Sequence, residues 1–243
     1  MTPRALAQKL EAERSLPTGS EERFNGFGVM GLPFSSGHVL ALRRFPASSV
    51  GAGYTSVWHR LPNQSWSFYA DTDPHYSCTR YFGKKAAHTY KTPVILNWQD
   101  DYSFEVNIES VGLTWFVNVQ ATPVTIAMNA LGSLLPAQAW KSDSILKLMG
   151  KVAGTVLGLQ KVNLTGTVPN GQHFKANPKI MWAIKESHAT IAGHDLGVPA
   201  ILPQQTHLQD FWIPQHGLLV FGQAYFTPFD PLKHSAAISS TDQ

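Results

Sequence analysis

The chain has 243 residues, of which 43% are apolar and only 14% charged, with a formal net charge of +3. That length can bury a substantial core, and the low charge favours a large enclosed interior over a long solvated surface. Arg43-Arg44 and Lys84-Lys85 are isolated doublets that read as ordinary surface charge, so no nucleic-acid partner is expected.

The first residues, MTPRALAQKLEAERS, carry helix-forming charged side chains where a secretory signal needs an apolar run. The single cysteine, Cys78, has no intramolecular partner, and no run of about 18 uncharged apolar residues is present. These features predict a cytoplasmic chain. Residues 1–20 are expected to form a short peripheral helix, ended by the turn signal Leu16-Pro17-Thr18-Gly19. Next comes GFGVMG, residues 26–31, which matches G-x-G-x-x-G as letters. Pro33 opposes the helix that a dinucleotide site needs there, so the stretch reads as a flexible loop.

From residue 37 to residue 122 the pattern alternates with period two. Strands are predicted near HVLALRRF (38–45), YTSVWHR (54–60), SWSFYAD (65–71), SCTRYFG (77–83), TPVILNW (92–98), YSFEVNIE (102–109) and LTWFVNVQA (113–121). Leu61-Pro62-Asn63-Gln64 forms the tip of the clearest hairpin. Residues 124–159 then form a helical insertion, with an apolar stripe from Ile145 to Leu159. Gly150, Gly154 and Gly158 fall on one face of it and read as close packing against a neighbour; peripheral membrane contact or a second subunit of a homo-oligomer is the further expectation for this insertion. Strands resume at 161–168, turn at Pro169-Asn170-Gly171, continue through 172–193 and close at 217–227, with 230–243 as a flexible tail. Residues 1–243 are thus predicted to be a single mainly β domain, an antiparallel lipocalin-like β-barrel with a helical insertion. Barrels of this size enclose one small, mostly apolar ligand.

Candidate chemistry concentrates in two places. On the strand 65–71, Ser65, Ser67, Tyr69 and Asp71 share one face; if that face is luminal, Tyr69 and Asp71 form an adjacent donor and acid. A carboxyl group in an apolar cavity stays protonated more readily and can act as a general acid. On the strand 181–191, Trp182, Ile184, Glu186, His188 and Thr190 share a face. His59, or the pair Glu186 and His188, would be the base, and Trp58, Trp66, Trp182, Tyr76 and Arg80 would contact substrate; the competing reading of Glu186 and His188 is that the strand leaves the barrel after Ile184 and both are solvated. The competing reading of Asp71 and Asp73 is a plain Asp-Thr-Asp-Pro turn, and of Cys78 a small buried apolar residue. The histidines, including His194, His207 and His216, lack metal-binding spacing and read as structural or surface residues, so neither metal nor cofactor is expected.

The Trp- and Tyr-rich meander, the WSFYAD strand and the GHDLG turn resemble the lipocalin-like superfamily that contains the hydroxyneurosporene synthase (carotenoid hydratase) proteins. That resemblance implies acid-catalysed hydration of an alkene, with Tyr69-x-Asp71 similar to the family's Tyr-x-Asp pair. Two functions are therefore expected of the barrel. One is a metal-independent hydratase, isomerase or cyclase acting on a hydrophobic small molecule. The other is a non-catalytic carrier or sensor of an apolar ligand. Carboxylates converging in the cavity would mark the enzyme, and a wholly apolar cavity the carrier.

Overall fold

The computed structural model describes residues 1–136 and 139–236. The chain begins with α1 (Pro3–Glu13), followed by β1 (Glu22–Val29), the two-residue β2 (Leu32–Pro33), β3 (Val39–Ser48), β4 (Tyr54–Arg60) and β5 (Trp66–Ala70). The helical turn α2 (Thr79–Phe82) leads to β6 (His88–Lys91), β7 (Ile95–Trp98), β8 (Ser103–Ile108) and β9 (Leu113–Gln120). Two helices, α3 (Pro123–Leu134) and α4 (Asp143–Val156), come next. The last part holds β10 (Thr165–Thr167), the long β11 (His173–Ile191), the short β12 (His194–Asp195), β13 (His207–Leu208) and β14 (Phe211–Trp212), and finally β15 (Leu218–Phe226).

The main sheet runs in the order β6-β5-β4-β3-β1-β15-β11-β9-β8-β7. It is mainly antiparallel, but β5 and β6 pair in parallel, and the path starts at β6 and stops at β7. The molecule is a curled mixed sheet forming a half-barrel: it is mainly β and barrel-like as expected, but it is not the uniformly antiparallel lipocalin-like barrel of the sequence reading. The parallel pair arises because α2 and its flanking turns carry the chain across before β6, where a tight hairpin would have reversed it.

One apolar cluster draws Leu42, Val57, Tyr69, Val106, Trp115 and Phe221 from strands far apart along this path, so it fills the concave side. Ala7 of α1 packs against it. The inside of the curl is a packed core, where the sequence suggested a ligand chamber. Because β3, β4 and β5 are buried almost throughout, their outer face is covered too, by a second cluster that includes Trp58, Trp66, Phe68 and Tyr81. Cys78 lies in that cluster, in keeping with its reading as a small buried residue.

Two segments differ from their sequence readings for physical reasons. SCTRYFG is a helical turn, because Tyr81 and Phe82 both enter the same cluster and adjacent strand residues would point to opposite faces. GFGVMG is strand as far as Val29, in the middle of the sheet. A Cβ at Gly26 would lie 2.1 Å from Arg44 O and one at Gly28 2.0 Å from Leu42 O, so these glycines permit the close, bulged approach of β1 to β3.

The helical insertion is real, as α3 and α4 on the outer face. Asn129 of α3 bonds both backbone groups of Met181, its Oδ1 accepting at 2.9 Å and its Nδ2 donating at 3.0 Å, and so clips the helix to β11. Gly150 and Gly154 let α4 pack directly on the returning chain: a Cβ there would lie 2.5 Å from Val162 O and 2.2 Å from Gln160 O. Among the described residues, no helix is long and apolar enough to cross a membrane. At the C-terminal end, Asp230 accepts from Leu232 N and Ser235 N donates to Asn170 O, which ties down residues 230–236. The remainder of the expected tail, 237–243, lies outside the described residues.

Candidate functional site

A cavity of about 410 Å³ lies between the outer face of the sheet and the two helices. Its floor comes from β1, β3, β11 and β15, and its roof from Leu131 and Leu135 near the end of α3 and from Leu148, Met149, Val152 and Ala153 of α4. Gly26 and Gly222 leave the floor without side chains at two points. Met30, Met128, Met149 and Met181 all line the space, so four of the chain's five methionines meet here. Thioether side chains are flexible and polarisable, and adapt to apolar ligands of irregular shape. Among the described residues, no Asp, Glu or His lines it. A second depression, of about 550 Å³, lies beside the start of α3 and includes Lys185 and His216.

The chief polar feature of the first cavity is Arg43. Its place on β3 sends its side chain to the outer face, with Val39, Ala41 and Phe45 on the same side. The residue is only 5% exposed, so its reading as surface charge is corrected; the neighbouring Arg44 faces the other way and makes the pair with Glu11 at 2.6 Å. Arg43 Nη1 donates to Val29 O at 2.6 Å and Leu42 O at 2.8 Å, and Nη2 to Met30 O at 3.2 Å. The guanidinium carbon lies 4.7 Å from the Trp58 ring centroid and 5.9 Å from that of Phe211. Among the described residues no carboxylate pairs with it. Burial lowers its pKa to about 10, so it remains cationic at neutral pH. The nearby Tyr54 hydroxyl and Cys78 thiol, 3.0 Å apart, are both pushed up by burial and supply no negative charge there. Asn177 also lines the cavity, and its Oδ1 is buried without a partner among the described residues.

None of the ten residues singled out in the sequence lines this cavity. Tyr69 is in the concave core, its ring stacked on Tyr90 at 5.1 Å, and burial raises its pKa. Asp71 ends the β4–β5 hairpin by accepting from Thr55 N at 2.8 Å, and burial pushes its carboxyl up. His59 is buried against His38, with Nε2 2.7 Å from His38 Nδ1; burial, then the His38 charge, lowers its pKa to about 4. Glu186 and His188 are brought together at 2.9 Å, but both are exposed, at 56% and 67% of their side chains.

The reason for that exposure is a β-bulge between Ile184 and Glu186 in the pairing of β11 with β9. Before the bulge Trp182 and Ile184 face the concave core, and after it Ser187 and Ala189 are the buried residues. Trp66 is in the outer cluster and Tyr76 is exposed. Arg80 is engaged with Glu22, Nη2 to Oε1 at 2.7 Å and Nε to Oε2 at 3.1 Å. Trp58 alone of the ten touches the site, through Arg43. Asp73 caps the turn at Pro74–Tyr76 by accepting from His75 N, as its turn reading implied.

No family model matches the chain, and no curated protein matches it. Among solved structures it is similar to the crystal structure of acetoacetate decarboxylase from Legionella pneumophila subsp. pneumophila str. Philadelphia 1, with 12% identity and a TM-score of 0.37 over 93% of this chain and 89% of that one. A likeness at this level assigns neither a family nor an activity.

Proposed function

We propose that the protein binds an apolar small molecule in the cavity between the sheet and α3–α4, as a carrier or sensor. The observation that carries this reading is the cavity wall: four methionines with mainly aliphatic and aromatic side chains and, among the described residues, no carboxylate or imidazole to move a proton. A general acid or base needs hydrogen-bond reach of the group it serves. Asp71, Tyr69, His59, Glu186 and His188 contribute nothing to this wall, so the geometry favours binding over the hydratase, isomerase or cyclase reading.

The test uses N-phenyl-1-naphthylamine, an uncharged apolar fluorophore. It is expected to bind the full chain with one equivalent at saturation and to lose that binding in Ala153→Phe, whose ring would occupy the space below α4. Absence of binding, or equal binding by Ala153→Phe, would overturn the proposal.

A further inference from the structure

Resting on this cavity as the ligand site, the geometry points to a ligand with an anionic head, a carboxylate, seated on the Nε/Nη2 edge of Arg43. Both Nη1 hydrogens and one Nη2 hydrogen are taken by the carbonyls of Val29, Leu42 and Met30. Among the described residues, Nε–H and the other Nη2–H have no hydrogen-bond partner. Nε and Nη2 share one edge of the planar guanidinium, the edge that receives a carboxylate through two parallel bonds.

Three further observations favour an anion at this position. The carbonyls lower the desolvation cost of the guanidinium but leave its net charge, and a buried charge without a counter-ion is unfavourable. Trp58 and Phe211 lie near the guanidinium carbon and help hold it in place. The remaining wall is mainly apolar, with Lys179, Asn163, Asn177 and Gln223 as its other polar members, and suits a hydrocarbon tail. A fatty-acid-like monoanion meets both demands, whereas a neutral hydrocarbon would leave the charge unanswered. The carbonyl bonds also suit a brace of the Val29–Met30 corner, and the experiment separates the two roles.

Decanoate and decan-1-ol, which share one tail, are titrated calorimetrically into the full chain at about pH 7.5, where the carboxylic acid is ionised. Decanoate is expected to bind at least tenfold more tightly. Arg43→Gln should lose that preference while still binding decan-1-ol, and Arg43→Lys, which keeps the charge without the fork, should fall between. Equal binding of both ligands by the unmodified chain, or an undiminished preference in Arg43→Gln, overturns the proposal and leaves Arg43 as a brace. Should Arg43→Gln fail to fold, Arg43→Lys takes its place, and Lys179→Gln, which should keep the preference for decanoate, separates Arg43 from the other cation of the wall. Binding of neither ligand would instead refute the cavity reading on which the inference rests.

Discussion

Arg43 and Trp58 are held in contact on the outer face of the sheet, the guanidinium carbon 4.7 Å from the indole centroid, while Trp58 Nε1 is buried without a hydrogen-bond partner among the described residues. The indole therefore stabilises through its ring and its volume, and its N–H is a liability. Trp58→Phe removes the unpaired donor and keeps an aromatic face, so a loss below about 1.5 kcal/mol is expected. Trp58→Ala should cost about 3–5 kcal/mol through the cavity it leaves. Urea unfolding of both variants checks the contrast, and similar losses for the two would show that the indole N–H has a role after all.

The neutral histidine pair makes the fold acid-sensitive. His59 titrates at about 4 in the folded chain against a reference value of 6.5, so between these values the unfolded chain takes up a proton that the folded chain does not. Its contribution to stability is complete above about pH 6.5 and is lost progressively as the pH falls toward 4. The amount is on the order of 3 kcal/mol. His38 is shifted in the same direction by burial and adds to the effect. In His59→Gln the stability between pH 4 and pH 6.5 should depend much less steeply on pH, which chemical denaturation at several pH values measures.

Glu22 and Arg80 form a second, opposite case. Burial pushes the Glu22 carboxyl up, but bonds from Arg80, Tyr81 and Gln172 outweigh that and hold it below the usual range. Its stabilisation is therefore present above the unfolded carboxylate value and is lost as pH falls through the lower folded one. Arg80→Met should cost about 2 kcal/mol, less than a fully buried pair would, because both side chains retain some contact with water. Adding Glu22→Gln should recover part of the loss. A double-mutant cycle with no coupling would refute the pairing.

Two helix glycines should respond in opposite senses. At Gly132 in α3 an added methyl group would have no neighbour within 4 Å among the described residues, so Gly132→Ala should stabilise by up to about 1 kcal/mol through helix propensity. At Gly154 the same methyl would lie 2.2 Å from Gln160 O. There the propensity gain is overridden, α4 must move off the returning chain, and both thermal stability and ligand affinity should fall. Thermal melts with and without decan-1-ol test this.

Much of the architecture was legible in the sequence because it rests on local alternation. YTSVWHR and β4 coincide, and the hairpin tip at residues 61–64 falls where the Pro-Asn turn signal put it. The helical insertion also followed from periodicity. The site was not legible, for three reasons. On β3, β4 and β5 both faces are buried, so period two separates Tyr69 from Trp66 and Phe68 without saying which side holds a ligand. On β11 the bulge at Lys185 exchanges the faces midway, and no single residue type announces it. Arg43 stands beside Arg44 as an ordinary doublet, yet the two point to opposite faces of one strand. The single usable signal was that a doublet within a predicted strand must bury one arginine wherever both faces are covered.

The most direct test of the cavity as a ligand site uses the methionine methyl groups. Met30, Met128, Met149 and Met181 line it, while Met1, the first residue, is 80% exposed, does not line it and serves as an internal control. With all five carbon-13 labelled, titration with decanoate should shift the four cavity methyl resonances together, saturate at one equivalent and leave Met1 unmoved. Unchanged cavity methyl groups in a folded chain, or shifts that follow Met1 without saturating, would contradict the assignment of this cavity as the ligand site.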